Sequence, residues 1–237
     1  MVRSSLIVLA CATLVIVLTS SAGAVTVPFT EDFANNNSNW GKSPSAFTGA
    51  DYVTTGGPLG AGDAYISTAF TFGAGDLGQL VFRGQDNFNS SNDAFVGNWN
   101  NGTVTALSFY IRQNSSIPLD VGVRLATSVN FPGANWIYQI GVEPNVWTKV
   151  TIPITDTPGP DIIYTPEGPI TLASIINSLG NIQILSQRQT LPVGTVVTFD
   201  VDKVSIVPEP SSLVLAGFGL AAVGGLLVRR HRAAIAK

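Results

Sequence analysis

The sequence predicts an all-β fold, an antiparallel β-sandwich of jelly-roll type with one short helix, flanked by an N-terminal signal-peptide helix and a C-terminal transmembrane helix. Three observations predict it. Charged residues make up 11% of the 237-residue chain while Gly (24) and Pro (14) are plentiful, a balance that suits short strands and turns rather than disorder. Between residues 25 and 206, β-branched and aromatic runs alternate with clusters of Asn, Gly, Ser and Pro, the punctuation of a two-sheet fold. Two longer apolar runs stand outside that pattern, one on each side of it.

The first of these, residues 1–24, has Arg3, an apolar stretch from Leu6 to Leu18 and then the small residues Ala22, Gly23 and Ala24. That order is a secretory signal peptide with its cut after Ala24. A rival reading makes VLAC a lipobox with Cys11 as the lipidated residue, but the apolar run continues well past Cys11, where a lipobox would close it. Cys11 is the sole cysteine, so removal of this segment leaves a protein without a thiol, a disulfide framework or a cysteine metal site.

Residues 25–206 form the predicted sandwich. Strands are expected at Val104–Ile111, Pro118–Leu125, Trp136–Val142, Trp147–Ile154 and Val196–Val207. In the last, Val197, Phe199 and Val201 alternate with Thr198, Asp200 and Asp202, the period-two pattern of a strand with one buried face. TLASIINSLG (171–180) carries Leu172, Ile175, Ile176 and Leu179 at helical spacing before a glycine stop and predicts the one short helix. No internal repeat, phosphate-binding loop or heptad pattern is present.

The second apolar run lies in residues 207–237. Val207, Pro208, Glu209 and Pro210 precede a span of about 211–228, which is apolar or Gly from Leu213 on and reaches roughly the length that crosses a bilayer. Arg229, Arg230 and Arg232 follow at once in a basic tail, 229–237, and by the positive-inside rule hold that end in the cytoplasm. The domain is therefore expected outside the membrane. Tripeptide, span and basic tail in this order resemble the PEP-CTERM sorting signal of exported bacterial proteins. The resemblance implies recognition by an exosortase, a membrane-embedded cysteine protease or transpeptidase, removal of the helix, and delivery to the cell surface or extracellular matrix. The conformational chemistry is compatible: Pro208 and Pro210 fix φ and withhold N–H donors, which keeps the segment extended outside the membrane.

A second resemblance covers the domain. FTEDFANNNSNW and FDVDKVSI resemble the first and last strands of carbohydrate-binding-module or galactose-binding-type jelly rolls. In such folds a structural calcium is often held between the opening and closing strands, which assigns Glu31, Asp32, Asp200 and Asp202 as its positions; carboxylate oxygens suit that hard cation. The opposing expectation is that these are solvent-facing acids. For sugar binding, Trp99, Trp136 and Tyr138 have the amide neighbours that a stacking platform needs, whereas Trp40 and Trp147 are expected to seal the core. DNFNSSND (86–93) reads as a solvated polar loop, and the sequons at Asn36, Asn89, Asn101 and Asn114 as part of an Asn-rich surface.

Several function classes are excluded or unsupported. The only histidine, His231, stands among the terminal arginines, so no Ser/His/Asp triad or Cys/His dyad assembles in the domain. Arg3, Arg229, Arg230, Arg232 and Lys237 lie at the ends, while all fifteen acids but Glu209 lie between residues 25 and 206. The acidic middle argues against nucleic-acid binding by phosphate neutralisation. The expected function is thus that of an exported surface or matrix protein, sorted by an exosortase, whose sandwich is structural or adhesive rather than an enzyme. The alternatives are a carbohydrate-binding module acting on extracellular polysaccharide and, behind it, a glycoside-active enzyme, for which no carboxylate pair stands out.

Overall fold

The computed structural model of the chain describes residues 25, 27–42, 48–75, 79–100 and 104–207. The predicted signal peptide with Ala22 and Ala24, the residues Pro208, Glu209 and Pro210, the predicted membrane span and Arg229, Arg230 and Arg232 all lie outside the described residues. Among the described residues eleven strands follow in chain order: β1 (Phe29–Glu31), β2 (Asp51–Val53), β3 (Tyr65–Thr71), β4 (Gln79–Gln85), β5 (Ala106–Gln113), β6 (Leu119–Thr127), β7 (Gly133–Val142), β8 (Thr148–Pro153), β9 (Ile162–Pro166), β10 (Leu179–Ser186) and β11 (Val196–Val207). One α-helix, α1 (Leu172–Ile176), precedes β10.

The strands form two antiparallel sheets. One has the order β2-β3-β11-β5-β8, with β1 added to β11; the other has the order β4-β10-β6-β7-β9. Within them β3-β11-β5-β8 faces β4-β10-β6-β7, the jelly roll that the sequence predicts. β11 pairs along one edge with β5, and along the other with β3 over Val196–Val201 and then with β1 over Val204–Ile206.

The alternation read in the sequence is the alternation of the core. Val197, Phe199 and Val201 are fully buried between the sheets, beside Leu107, Phe109 and Ile111 of β5 and opposite the equally buried Val121, Val123, Leu125 and Ile184 of the second sheet. Trp40 closes one end of this core as expected, its ring edge-on to Phe33 at 5.8 Å and to Phe95 at 6.1 Å. Trp147 does not join it. Its ring covers the outer face of the first sheet, edge-on to Tyr65 at 5.4 Å, and its indole N–H donates to the Gly56 carbonyl at 3.0 Å.

The predicted helix is shorter than its spacing suggested. Thr171 caps α1 by accepting a hydrogen bond from the Ser174 N–H, and Ile175 and Ile176 bury their side chains. Leu179 instead opens β10, where its backbone exchanges two bonds with Gly97 at 2.9 Å. Extending the helix to Gly180 would break these two bonds and displace Leu179 from the core, so tertiary packing overrides the local pattern.

At Gly122 in β6 a Cβ would lie 2.0 Å from the Trp136 carbonyl oxygen, a contact that no rotamer change relieves. Gly122→Ala is expected to destabilise the folded protein by about 3 kcal/mol, at the upper end of overpacking effects, read as a lowered urea midpoint with unchanged slope.

Candidate functional site

β1 leads directly into a loop built by short polar side chains. Asp32 accepts from the Ala34 N–H at 3.2 Å, Asn36 from the Ser38 N–H at 2.6 Å and Asn37 from the Asn39 N–H at 3.2 Å, so successive side chains imitate backbone turns. A second loop, Asn89–Asp93, packs against it: the Ser91 N–H donates to the Ser38 carbonyl at 2.9 Å, the Ser90 hydroxyl to the Asn39 carbonyl at 2.8 Å and the Trp40 indole N–H to Ser91 Oγ at 2.9 Å. Phe33, Ser38, Asn39, Asn89, Ser91, Asn92 and Asp93 all have φ between 47° and 58°. Asn and Asp tolerate this left-handed region; Phe33 does not, and it is held there by its fully buried ring.

The two loops wall an open cleft of about 540 Å³, lined by Glu31, Asp32, Asn36, Asn39, Asn89 and Asn92 among others. Its chemistry is that of amides, hydroxyls and two carboxylates, able to donate to and accept from hydroxyl groups. Among the described residues no aromatic ring lines it. The sequence marked both loops as Asn-rich, yet nothing in their spacing indicated that they meet.

The four acids assigned to calcium are not brought together. Glu31 and Asp32 line the cleft, with Glu31 accepting from the Phe33 N–H at 2.9 Å. Asp200 lies on the outer face of the first sheet and accepts from the Arg112 guanidinium at 2.8 Å, while that guanidinium stacks over Trp147 at 4.7 Å and Tyr65 at 5.3 Å. Asp202 is fully buried beside Lys203, and burial pushes its carboxyl up to about 6. Among the described residues no three carboxylate, histidine or cysteine side chains group to hold a metal ion. The expected calcium therefore does not fit these residues, because two of the four acids are already committed to cationic partners.

Two of the three residues named for a sugar platform are buried. Trp99 is 1% exposed, its N–H donating to the Phe95 carbonyl at 2.9 Å. Trp136 is wholly buried, bonded to the Thr155 carbonyl at 2.8 Å and tilted against Tyr164 at 5.0 Å. Tyr138 is half-buried and packs on the core. Trp99 and Trp136 are thus closed to a stacking sugar, while Tyr138 keeps part of its side chain at the surface.

What the sequence reading missed is the polar outer face of the second sheet. Register aligns Arg83, Gln183, Arg124, Asn135 and Thr165 in one row. Arg124 grips both carboxylate oxygens of Glu167 at 2.6 Å and donates to Asn130 Oδ1 and Gln183 Oε1 at 2.9 Å. The signal for it was the phase: Arg124 and Gln183 each stand one residue from core positions, but nothing local announced that a loop would cover them.

The remaining site is the sequence motif itself. Residues 207–232 match the profile of the PEP-CTERM protein-sorting motif. The chain carries a PEP-CTERM sorting signal. Such a signal marks an exported, surface-sorted protein. Val207, its first matched residue, is also the last residue of β11, paired with Ala106. Among the described residues no helix is long and apolar enough to cross a membrane. Comparison with curated proteins finds no sequence match. Among solved structures, the sandwich upstream of the PEP-CTERM signal is similar to the family 11 carbohydrate-binding module of a cellulosomal cellulase of Clostridium thermocellum, at 16% identity and TM-score 0.43 over 78% of this chain and 96% of the module. It is similar to the family 30 module of another cellulosomal cellulase of Clostridium thermocellum, at 11% identity and TM-score 0.43 over 81% and 96%. It is also similar to a part of an exo-β-agarase, at 10% identity and TM-score 0.48 over 78% of this chain and 25% of the enzyme.

Glu167 yields a pH prediction. Its hydrogen bonds to Arg124 hold it below its ordinary value of 4.5, against the opposing effect of burial. A depressed carboxyl contributes stability above its unfolded pKa and loses it as pH falls through the folded one. Thermal melts of the wild type and Glu167→Gln should therefore differ most near neutral pH, with the wild type higher, and converge as the pH drops below about 4.

Proposed function

We propose that this is an exported protein whose PEP-CTERM signal is read by an exosortase at Val207–Pro208–Glu209–Pro210, and whose sandwich then serves at the cell surface or in the extracellular matrix as a non-catalytic structural or adhesive component. The observation that carries the reading is the match over residues 207–232 beginning where β11 ends. The motif thus follows a completed strand, and cutting beyond Pro208 spares the whole sandwich. The register adds support: Phe29 pairs with Ile206, so the segment after Ala24 and the segment entering the motif leave the sandwich side by side. An export signal and a membrane handle on the same end suit one domain held outside the membrane. The span is then a temporary tail of the kind that sorting removes.

Mass spectrometry of protein released from its native host should find chains beginning near Val25 and lacking Leu213–Lys237. Pro208→Ala together with Glu209→Ala should leave the C-terminal segment in place and the protein in the membrane fraction. Intact C-termini on wild-type surface material would overturn the reading.

A second reading, carbohydrate binding, is favoured by the cleft, whose amides and carboxylates match the hydrogen-bonding needs of sugar hydroxyls. Its aromatic-free lining points to polar recognition without ring stacking. A glycan array of the exported protein should then show binding that Asn36→Ala with Asn92→Ala reduces at least tenfold; an array without signal supports the purely structural role.

A further inference from the structure

On the outer face of the first sheet, an amine and two carboxyls meet in a way that neither sorting nor the cleft explains. Lys203 Nζ lies 2.9 Å from Asp63 Oδ1 and 3.5 Å from Asp202 Oδ2. The Asp202 side chain is 0% exposed, that of Asp63 13% and that of Lys203 21%. Asp202 Oδ1 accepts the Lys203 N–H at 2.7 Å, but its Oδ2 is buried without a hydrogen-bond partner. Its nearest cation, Lys203 Nζ, thus stands at ion-pair distance without closing a hydrogen bond, an uncommon arrangement for a carboxylate oxygen at that depth.

The backbone is shaped to make this cluster. Consecutive strand residues point to opposite faces, yet Asp202 and Lys203 share one. The β11–β5 register shifts between Asp202 and Ser205, and Lys203 takes φ 51°; this bulge turns the lysine onto the side of its neighbour. Asp63 is fixed from behind, its Oδ2 accepting the Leu59 N–H at 2.7 Å. Gly57 makes room for it, since a Cβ there would stand 2.7 Å from the same oxygen. Tyr65 and Trp147 shield the neighbouring surface, with Arg112 and Asp200 already paired to each other beside them.

We propose that Lys203 and Asp63 become joined by an amide bond, with the Asp202 carboxyl carrying the protons, so that the loop before β3 is tied covalently to the last strand. Lys203 Nζ attacks Asp63 Cγ, the bond from Cγ to one carboxylate oxygen breaks, and Asp202 takes protons from the nitrogen and returns them to the departing oxygen. An ammonium and a carboxylate become an amide and one water, without an oxidant or any co-reactant. The Leu59 N–H lies where negative charge develops on the remaining oxygen, and fixed positioning supplies the effective concentration that free amine and acid lack.

The proton chemistry fits. The raised Asp202 carboxyl exchanges protons near neutral pH, as a shuttle must. Burial lowers the Lys203 ammonium, but its bond to Asp63 and the charge of Asp202 outweigh that and hold it protonated at rest; the amine is released through Asp202. The link would join positions 140 residues apart, the service a disulfide renders in secreted proteins, in a chain whose one cysteine lies in the signal segment.

Tryptic mapping of the exported full-length protein by tandem mass spectrometry tests this. The wild type should give a branched peptide containing Asp63 and Lys203, one water lighter than its two parts, with cleavage after Lys203 lost. Lys203→Arg and Asp63→Ala should abolish it, and Asp202→Asn should slow its appearance at least tenfold in a time course. Quantitative cleavage after Lys203 in folded wild type overturns the proposal without reference to any variant. Branching in Asp202→Asn at the wild-type rate overturns the shuttle assignment.

Discussion

β11 is hydrogen-bonded along one edge to β5 and along the other to β3 and then β1, so the last described strand is the one that the six-stranded sheet cannot lose. Its inward residues Val197, Phe199, Val201, Val204 and Ile206 run through the core from end to end, and its outward residues Asp200 and Asp202 organise the opposite face. Every partner of β11 lies far from it in sequence, the kind of pairing that closes late because loop entropy must be overcome first. The sandwich therefore cannot be complete until residues 196–207 are available. The sorting motif begins at Val207, where that completing strand ends.

Both outer faces are finished in the same way, by an arginine buried along its stem and paired at its head. Arg112 with Asp200 lies under Trp147; Arg124 with Glu167 lies under the Asn130 loop. In a chain with so few charges, most of the described cations of the domain are thus spent inside its own surface, Lys42 with Asp51 and Lys203 with Asp63 included. What remains facing solvent is rich in amides and hydroxyls. Fourteen acids against seven basic residues between 25 and 206 also leave the domain net negative, a bias that salt screens.

The inward half of this design was legible in the sequence and the outward half was not. Period-two alternation located Val197, Phe199 and Val201, and with them the phase of β11, because burial on one face leaves a regular mark. The same alternation misled at Asp200 and Asp202: their off-core phase read as solvent or metal, whereas Arg112 pairs with the first, and Lys203, joined to Asp63 of the distant loop 54–64, lies beside the second. Trp99 and Trp136 failed for the converse reason. Polar neighbours in sequence suggested exposure, but a strand sets each side chain's face independently of the residue beside it, and Trp136 shares its face with Val123 and Ile184 rather than with Asn135. The Asn-rich loops were visible as composition only, since their meeting depends on tertiary closure.

The position of the cleft relative to the motif follows from β1. Its Phe29 end faces the place where the chain leaves towards the sorting signal, and its Glu31 end opens into the cleft. A three-residue strand is only about 10 Å long, but it has two ends, and they are given to two tasks. The chain continues past Val207 at one end of the strand, whereas the left-handed, hydrogen-bonded walls of the cleft stand at the other. Those walls hold seven residues in a conformation that, outside glycine, persists only where surrounding bonds impose it. Three of them lie in the loop after β1 and four in the loop 89–93, so hydrogen bonds between the two loops hold the shape of the cleft.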